Sequence, residues 1–456
     1  MINKVELVEC HKLKHLPFVF IERLFYVRFL IAEFGGDLTP SLWAGRALQQ
    51  SGHSVTILSN PCFREEALHC SHSFIPVGSQ DEWETHFHQA GFWKESTCRV
   101  ITADYIEKSL GQFFEAITIQ GGNFDALISM PLAMGANHAA AKLGKPVIML
   151  HSTIHDFWLS REFPIIDWGM GWLKPVAKRL PQPILSMLFY FGRRGINKSW
   201  LGRVNRFRQS NEMAPVSDFY RDVWTRASGH AGLFPRWYYS GISDWPASFK
   251  NFNFPLEGLT TDFLPMELEA FLSHGPKPIV WTFGGDVRAE KYVSAAVAAS
   301  QRLGLRSVIM SASKSGMEKA GDDFFYIQQT GYNHPYYSKL FEKCLIFVNH
   351  GGQTAITHCL AAGIPQLAMP RLGDQFDNAY MLSKRLRVGK VIHPGHADTA
   401  GYITALSKIL RNSDMMERAK FFADKITQGD DKKSDFSHWV EEIVRKNYLC
   451  DSCNWL

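Results

Sequence analysis

The densest cluster of chemistry-bearing residues is Asn349-His-Gly-Gly-Gln-Thr354. It follows a short apolar run, Leu345 to Val348, and opens a helical pattern that reaches Ala362 before Gly363-Ile-Pro365. Paired glycines let a ligand come close to the backbone, and the amides at a helix N-terminus carry about half a unit of positive charge, so a phosphate suits this turn. His350 adds a hydrogen bond or a charge to such an anion. Taken alone, a Gly-Gly pair is also an ordinary tight turn. Further on, Asp374-Gln375 closes the next strand and offers acceptors and a donor matched to vicinal sugar hydroxyls. In the first half, His151, His155 and Asp156 follow a strand end, and with Phe157 and Trp158 they are candidates for lining an acceptor pocket, or plain loop residues.

These residues need strand ends to hold them. Arg28 to Phe34, the Gly35-Gly36-Asp37 turn, an apolar-periodic stretch from Leu38 to Gln50, Ser51-Gly52 and Val55 to Leu58 read as a βαβ unit. Ala126 to Met130, a helix near Ala133 to Leu143, Gly144-Lys-Pro146 and Val147 to Leu150 repeat it, which predicts a doubly wound α/β domain. After an aperiodic stretch from Ser248 to Asp262 the alternation restarts. Ile279 to Thr282, Ser307 to Met310, Phe325 to Ile327, Leu345 to Val348 and Gln366 to Met369 are its predicted strands. From Ile165 to Arg208 the chain turns apolar and basic, and Pro175, Pro181 and Pro183 predict several short helices. This stretch reads either as an insertion packed on its own domain or as a basic amphipathic surface in peripheral contact with a membrane.

Composition narrows the function. At 456 residues the chain predicts two or three domains, and 49 Lys+Arg against 44 Asp+Glu is too balanced for a nucleic-acid binder. No run of about 18 uncharged apolar residues predicts a spanning helix. Eight scattered Cys predict reduced thiols and a cytoplasmic setting, at the inner face of the membrane if the amphipathic reading holds. The lone Cys450/Cys453 pair has no second pair to complete a metal site. There is no HExxH, GxSxG or Asp-x-Asp, and Gly35-Gly36 lacks the third glycine of a nicotinamide loop. The 33 Phe and 13 Trp point toward apolar ligand surface.

The run from His350 to Thr354, then Gly363-Ile-Pro365, then Asp374-Gln-Phe-Asp-Asn-Ala379, resembles the nucleotide-sugar signature of family 1 glycosyltransferases with the GT-B fold. Phe34-Gly-Gly-Asp-Leu-Thr-Pro40, Gly52-His-Ser-Val55, Phe234-Pro-Arg-Trp237 and Asp244-Trp-Pro246 extend the likeness over most of the chain, nearest the branch of rhamnolipid rhamnosyltransferases and sterol glucosyltransferases. The resemblance implies two Rossmann-like domains facing a cleft: an N-terminal extension over 1–27, an acceptor domain over 28–250, a linker over 251–262, a donor domain over 263–430, and over 431–456 a helix returning to the first domain, with a tail.

It further implies a UDP- or dTDP-hexose as co-substrate, with no other cofactor and no metal, and an apolar hydroxyl-bearing acceptor. His350, Gly351, Gly352 and Thr354 would hold the diphosphate, with Gly284 and Gly285 closing from another loop. Asp374 and Gln375 would hold the sugar, and His334, Pro335 and Tyr336 the base. Asp37 would be the catalytic base, though an Asp there also suits a helix cap. Eight residues after His350, where many plant members carry a ribose-binding Glu, this chain has His358. Arg371 is a surface cation or a contact to an acidic sugar. A GT-B epimerase or hydrolase, and a non-catalytic nucleotide-sugar or lipid-binding relative, remain as alternatives.

Overall fold

A computed structural model describes residues 26–34, 38–89, 91–120, 123–154, 165, 168, 171–239, 245–256, 264–284, 289–328, 337–429 and 433–453. Among them the strands form two wholly parallel sheets. The first contains β1 (Arg28–Ala32), β2 (Ser54–Ser59), β3 (Ser73–Pro76), β4 (Ala126–Ser129), β5 (Val147–His151), β6 (Gly229–Gly232) and β7 (Phe249–Asn251) in the order β3-β2-β1-β4-β5-β6-β7. The second contains β8 (Ile279–Thr282), β9 (Ser307–Ser311), β10 (Phe324–Gln328), β11 (Ile346–Asn349), β12 (Gln366–Ala368) and β13 (Gly389–Val391) in the order β10-β9-β8-β11-β12-β13.

Both orders run outward in one direction and then jump back across the first strand. This creates a switch point between β1 and β4 and another between β8 and β11, where strand ends splay and leave room for a ligand. The central strands are buried along their whole length, as parallel strands covered by helices on both faces must be.

Two features differ from the sequence-based expectation. Pro181 and Pro183 do not break a helix; they open a single helix, Gln182–Ser210, because a proline in the first turn gives up an amide that has no partner there anyway. The strands β6 and β7 had no apolar run to announce them. Gly229 and Gly232 are buried, and a methyl on Gly229 would lie 2.4 Å from Ile443 Cδ1, one on Gly232 2.4 Å from the Phe249 ring. The glycines are there so that a helix and an edge strand can close on β6.

That helix is Lys433–Cys453. Phe436, Val440 and Val444 join the core formed by Phe29, Ile31, Trp43 and Leu48. The Phe436 ring centroid is 5.2 Å from both Trp43 and Phe252. Ser437 Oγ donates to the Ala47 carbonyl at 2.7 Å, and His53 Nε2 lies 3.0 Å from Glu441 Oε1. The last described helix is therefore part of the first domain's core, although the second sheet precedes it in sequence. Truncating Phe436 to Ala should cost about 3 kcal/mol and lower the thermal midpoint followed by circular dichroism. Truncating the exposed Phe421 should leave the midpoint within the scatter of the wild type.

Candidate functional site

The site is assembled at the β8/β11 switch point. Asn349 ends β11 and is buried; its Oδ1 accepts from the Gly351 amide at 2.8 Å, folding the chain back into the turn. Its Nδ2 donates to Gln366 Oε1 at 3.1 Å, and Gln366 Nε2 donates to the Ile356 carbonyl at 3.1 Å. One chain of amides thus fixes the turn, the helix that follows and the neighbouring strand β12. Helix Gln353–Ala361 begins at Gly352 with no side chain capping it, so its first amides face the turn. Thr354 stands in that first turn, half-buried.

The imidazole of His350 is clamped between two glycines. A methyl at Gly284 would lie 3.1 Å from Nδ1, and one at Gly352 would lie 2.8 Å from Nε2. Gly284 also has φ +66, a conformation that side chains disfavour. The two glycines that the sequence assigned to separate loops are therefore the two walls of one histidine slot.

The Asp374-Gln375 pair sits against this turn. Gly351 has φ +94, and a methyl there would be 3.0 Å from the Gln375 carbonyl. Helix Gln375–Tyr380 starts at that point. Buried Asn378 joins the two motifs: its Nδ2 donates to the Gly351 carbonyl at 2.9 Å and to Asp374 Oδ2 at 3.0 Å. Gln375 Oε1 accepts from the amides of Arg371 at 2.9 Å and Leu372 at 3.1 Å, so its NH₂ is the half of the side chain that can serve a ligand. The expected donor residues His350, Gly351, Gly352, Thr354, Gly284, Asp374 and Gln375 thus gather in one place. Gly285, the base segment His334, Pro335 and Tyr336, and Asp37 lie outside the described residues.

His151 is buried, with Nε2 3.1 Å from His230 Nδ1 across the β5/β6 pair. Burial, aided by the neighbouring His151, pushes the His230 imidazole down to about 3, so His230 is neutral at ordinary pH. His155, Asp156, Phe157 and Trp158 lie outside the described residues. His358 is buried with Nδ1 2.9 Å from the Thr354 carbonyl and Nε2 2.9 Å from the Leu256 carbonyl. Burial lowers its basicity, against the two carbonyls that raise it. It ties the helix to the segment leading out of the first sheet.

Three contacts between the halves were not foreseen. Lys174 Nζ pairs with Asp377 Oδ1 at 2.7 Å, both side chains wholly buried, and the Ile165 amide donates to the same oxygen at 3.2 Å. Trp168 packs edge-on against Phe376, 5.6 Å between centroids. Arg371 is not a plain surface cation: it donates to the Trp93 carbonyl at 3.2 Å and lies 5.3 Å from the Trp93 ring and 5.4 Å from that of Tyr292. Asp377 and Arg371 flank the Asp374-Gln375 pair, so the first domain grips the loop that presents it. A lysine among prolines gives no sequence sign of such a partner.

Gly352→Ala should force His350 out of its slot and weaken UDP or dTDP binding at least about tenfold, a 1.4 kcal/mol change, by titration calorimetry. Gly321→Ala, where a methyl meets nothing within 4 Å, should bind as wild type does. Lys174→Met leaves Asp377 buried without its lysine, at a cost of about 3–5 kcal/mol in chemical denaturation, and combining it with Asp377→Leu should recover much of that loss. Failure of the double variant to recover would mean that the pair does more than neutralise itself.

Comparison with known proteins locates this arrangement. Residues 341–447 match the family described as UDP-glucoronosyl and UDP-glucosyl transferase. The chain is 27% identical over 367 residues to the sterol 3-beta-glucosyltransferase UGT80A2 of Arabidopsis thaliana, covering 76% of this chain and 54% of that protein. It is 24% identical to the sterol 3-beta-glucosyltransferase of Debaryomyces hansenii over 91% of this chain but 27% of the relative. The chain thus spans about half, or less, of the length of these relatives. Among solved structures, the glycotransferase of kitacinnamycin superposes with a TM-score of 0.63 at 15% identity, over 93% of this chain and 99% of that one. The spinosyn forosaminyltransferase SpnP does so at 0.63 and 15%, over 92% and 100%. SsfS6 of Streptomyces sp. SF2575, complexed with thymidine diphosphate, gives 0.59 at 13%, over 91% and 99%. The resemblance read from the motifs is borne out, in the GT-B fold over nearly the whole chain and in the family signature over residues 341–447, with sterol glucosyltransferases among the relatives the chain is similar to.

Proposed function

We propose that this protein transfers a hexose from a UDP- or dTDP-linked donor to a hydroxyl of an apolar, lipid-like acceptor, in one inverting displacement that uses no metal. The observation that carries this reading is the Asn378 bridge, which holds an uncapped helix N-terminus with its histidine beside a carboxylate and a carboxamide. A diphosphate and a sugar are two parts of one molecule, and the two halves of the site are spaced by a single side chain. The relatives' names favour a sterol-like acceptor, and the thymidine diphosphate complex of a structural neighbour favours a pyrimidine nucleotide.

In this mechanism the acceptor oxygen attacks the anomeric carbon as the bond to the diphosphate oxygen breaks. Its proton passes to Asp37, which follows the β1 residues in sequence, and a carboxylate in reach contributes a factor of about 10² to 10⁴. Charge growing on the leaving diphosphate is met by the amides of Gly352 and Thr354 and by His350, groups already oriented before reaction, while Gly351, its amide bonded to Asn349, lets the diphosphate approach the backbone. Asp374 accepts from the sugar hydroxyls while the Gln375 NH₂ donates to them. Gly285 would close over the diphosphate from the loop after β8, and His334, Pro335 and Tyr336 would carry the base.

Incubating the protein with UDP- and dTDP-sugars and a panel of sterols and other hydroxylated lipids, followed by mass spectrometry, should yield a product heavier than the acceptor by one hexosyl residue, a hexose less water. Asp37→Asn should lower turnover at least about a hundredfold while UDP affinity stays within twofold. Rapid isomerisation or release of the sugar without acceptor would replace transferase by epimerase or hydrolase, and tight donor binding with no product across the panel would leave a binding protein.

A further inference from the structure

The first half of helix Gln182–Ser210 is apolar on both sides. Leu185 and Phe189 point inward and are buried. Yet Ile184, Met187, Leu188 and Phe191, at i, i+3, i+4 and i+7, form a second stripe that is exposed, Phe191 at 61%. Tyr190 flanks it, and Trp172, 62% exposed, stands on the preceding turn. A helix apolar all round belongs in an apolar medium, and a soluble surface seldom carries so many contiguous large apolar side chains without a partner.

The charges along the helix are of one sign. The 29 residues of the helix contain Arg193, Arg194, Lys198, Arg203, Arg206 and Arg208 and no Asp or Glu. Lys178 and Arg179 precede it, exposed, and Arg193, Arg194 and Lys198 follow the stripe, also exposed. Beyond this point the helix turns conventional: Val204 is buried, and Trp200, Leu201 and Phe207 pack on the first domain's core. No helix among the described residues is long and apolar enough to cross a membrane. The basic rim, the exposed aromatics and the stripe are the parts of a helix that lies in the interface of a bilayer. A second copy of the chain is a poor occupant, because a symmetric contact would set two acid-free, cationic helices face to face.

We propose that Trp172 and the exposed stripe of helix Gln182–Ser210 dock this protein on a bilayer of anionic phospholipids, the flanking Lys and Arg meeting the head groups. The contact needs neither donor nor acceptor, so it stands apart from glycosyl transfer. An acceptor dissolved in that bilayer would reach the first domain without crossing water.

The full-length protein is mixed with phosphatidylcholine vesicles, with and without phosphatidylglycerol, and sedimented in the absence of any sugar nucleotide. Binding should require the anionic lipid and weaken steeply as salt shortens the screening length. Met187→Asp combined with Phe191→Asp should reduce partition at least about tenfold, and Arg194→Gln with Lys198→Gln about tenfold or more. Both pairs are exposed, so near-ultraviolet circular dichroism should be unchanged. Absence of binding to anionic vesicles, equal binding by the variants, or a concentration-dependent dimer in solution that the Met187/Phe191 variant dissolves would each overturn the proposal.

Discussion

The site depends on one carboxamide. Asn378, buried in the helix that follows β12, spends both N–H groups of its Nδ2 on two loops that are distant in sequence, the Gly351 carbonyl and the Asp374 carboxylate. Each bond is worth only about 1 kcal/mol, or somewhat more to the charged acceptor, yet losing either would leave a buried polar group unsatisfied. Everything nearby is shaped by the close approach that this bridge requires. Gly351 must lack a side chain because Gln375 is already in contact, and Gly352 and Gly284 must lack one because the bridge and the turn leave the His350 ring between them. The glycines that look like a flexible loop in the sequence are a tightly filled cradle.

The same helix that carries Asn378 is held from its other side. Asp377 points into the first half of the chain, where Lys174 neutralises it in the absence of water. An ion pair with no exposure gains little net stability, because the desolvation of both charges offsets their attraction. What it supplies is registration: the pair forms in one arrangement of the two halves and is costly in any other. Arg371 stacked near Trp93 acts at the other end of the Asp374-Gln375 segment, and His358 linked to Leu256 acts behind the phosphate turn. The proposed donor subsites are therefore built by the second domain but held in position by contacts from the first, which suits the proposed reaction, in which donor and acceptor must be brought into line.

The fold was legible because parallel strands buried on both faces must be apolar runs, and those of β1, β2, β4, β5, β8, β9 and β11 are read directly from the chain. The gathering of the His350 turn and the Asp374-Gln375 pair was legible because a Gly-Gly pair between strand and helix and an Asp-Gln pair one βα unit later fall at neighbouring strand ends of a parallel sheet. What stayed hidden has a common cause. The Gly229–Gly232 strand, the Lys174 partner and the Asn378 bridge all gain their meaning from residues far away in sequence: Ile443 and Phe249, Asp377, and Gly351. Local pattern reports what a segment buries, whereas these residues are defined by what is buried against them. The prolines misled in the opposite direction, since the penalty they carry within a helix vanishes in its first turn.

The aromatic excess, which in the sequence looked like a single signal for an apolar ligand, separates into three. One share is ordinary core: Phe63, Trp83, Phe87, Phe92 and Trp93 pack edge to face or tilted, with His86 and Tyr105 stacked among them. A second share joins the two halves, as Trp168 does on Phe376 and Trp93 beneath Arg371. The third, Trp172, Tyr190 and Phe191, is exposed on a chain segment, residues 172–210, whose charges are all positive. Burial distinguishes the first two shares from the third, and charge then distinguishes among the surfaces that could cover the third. An apolar ligand inside a pocket would leave its aromatics shielded and its rim neutral. A row of aromatics open to solvent and bordered by arginine is matched instead by a medium that is apolar below and anionic above.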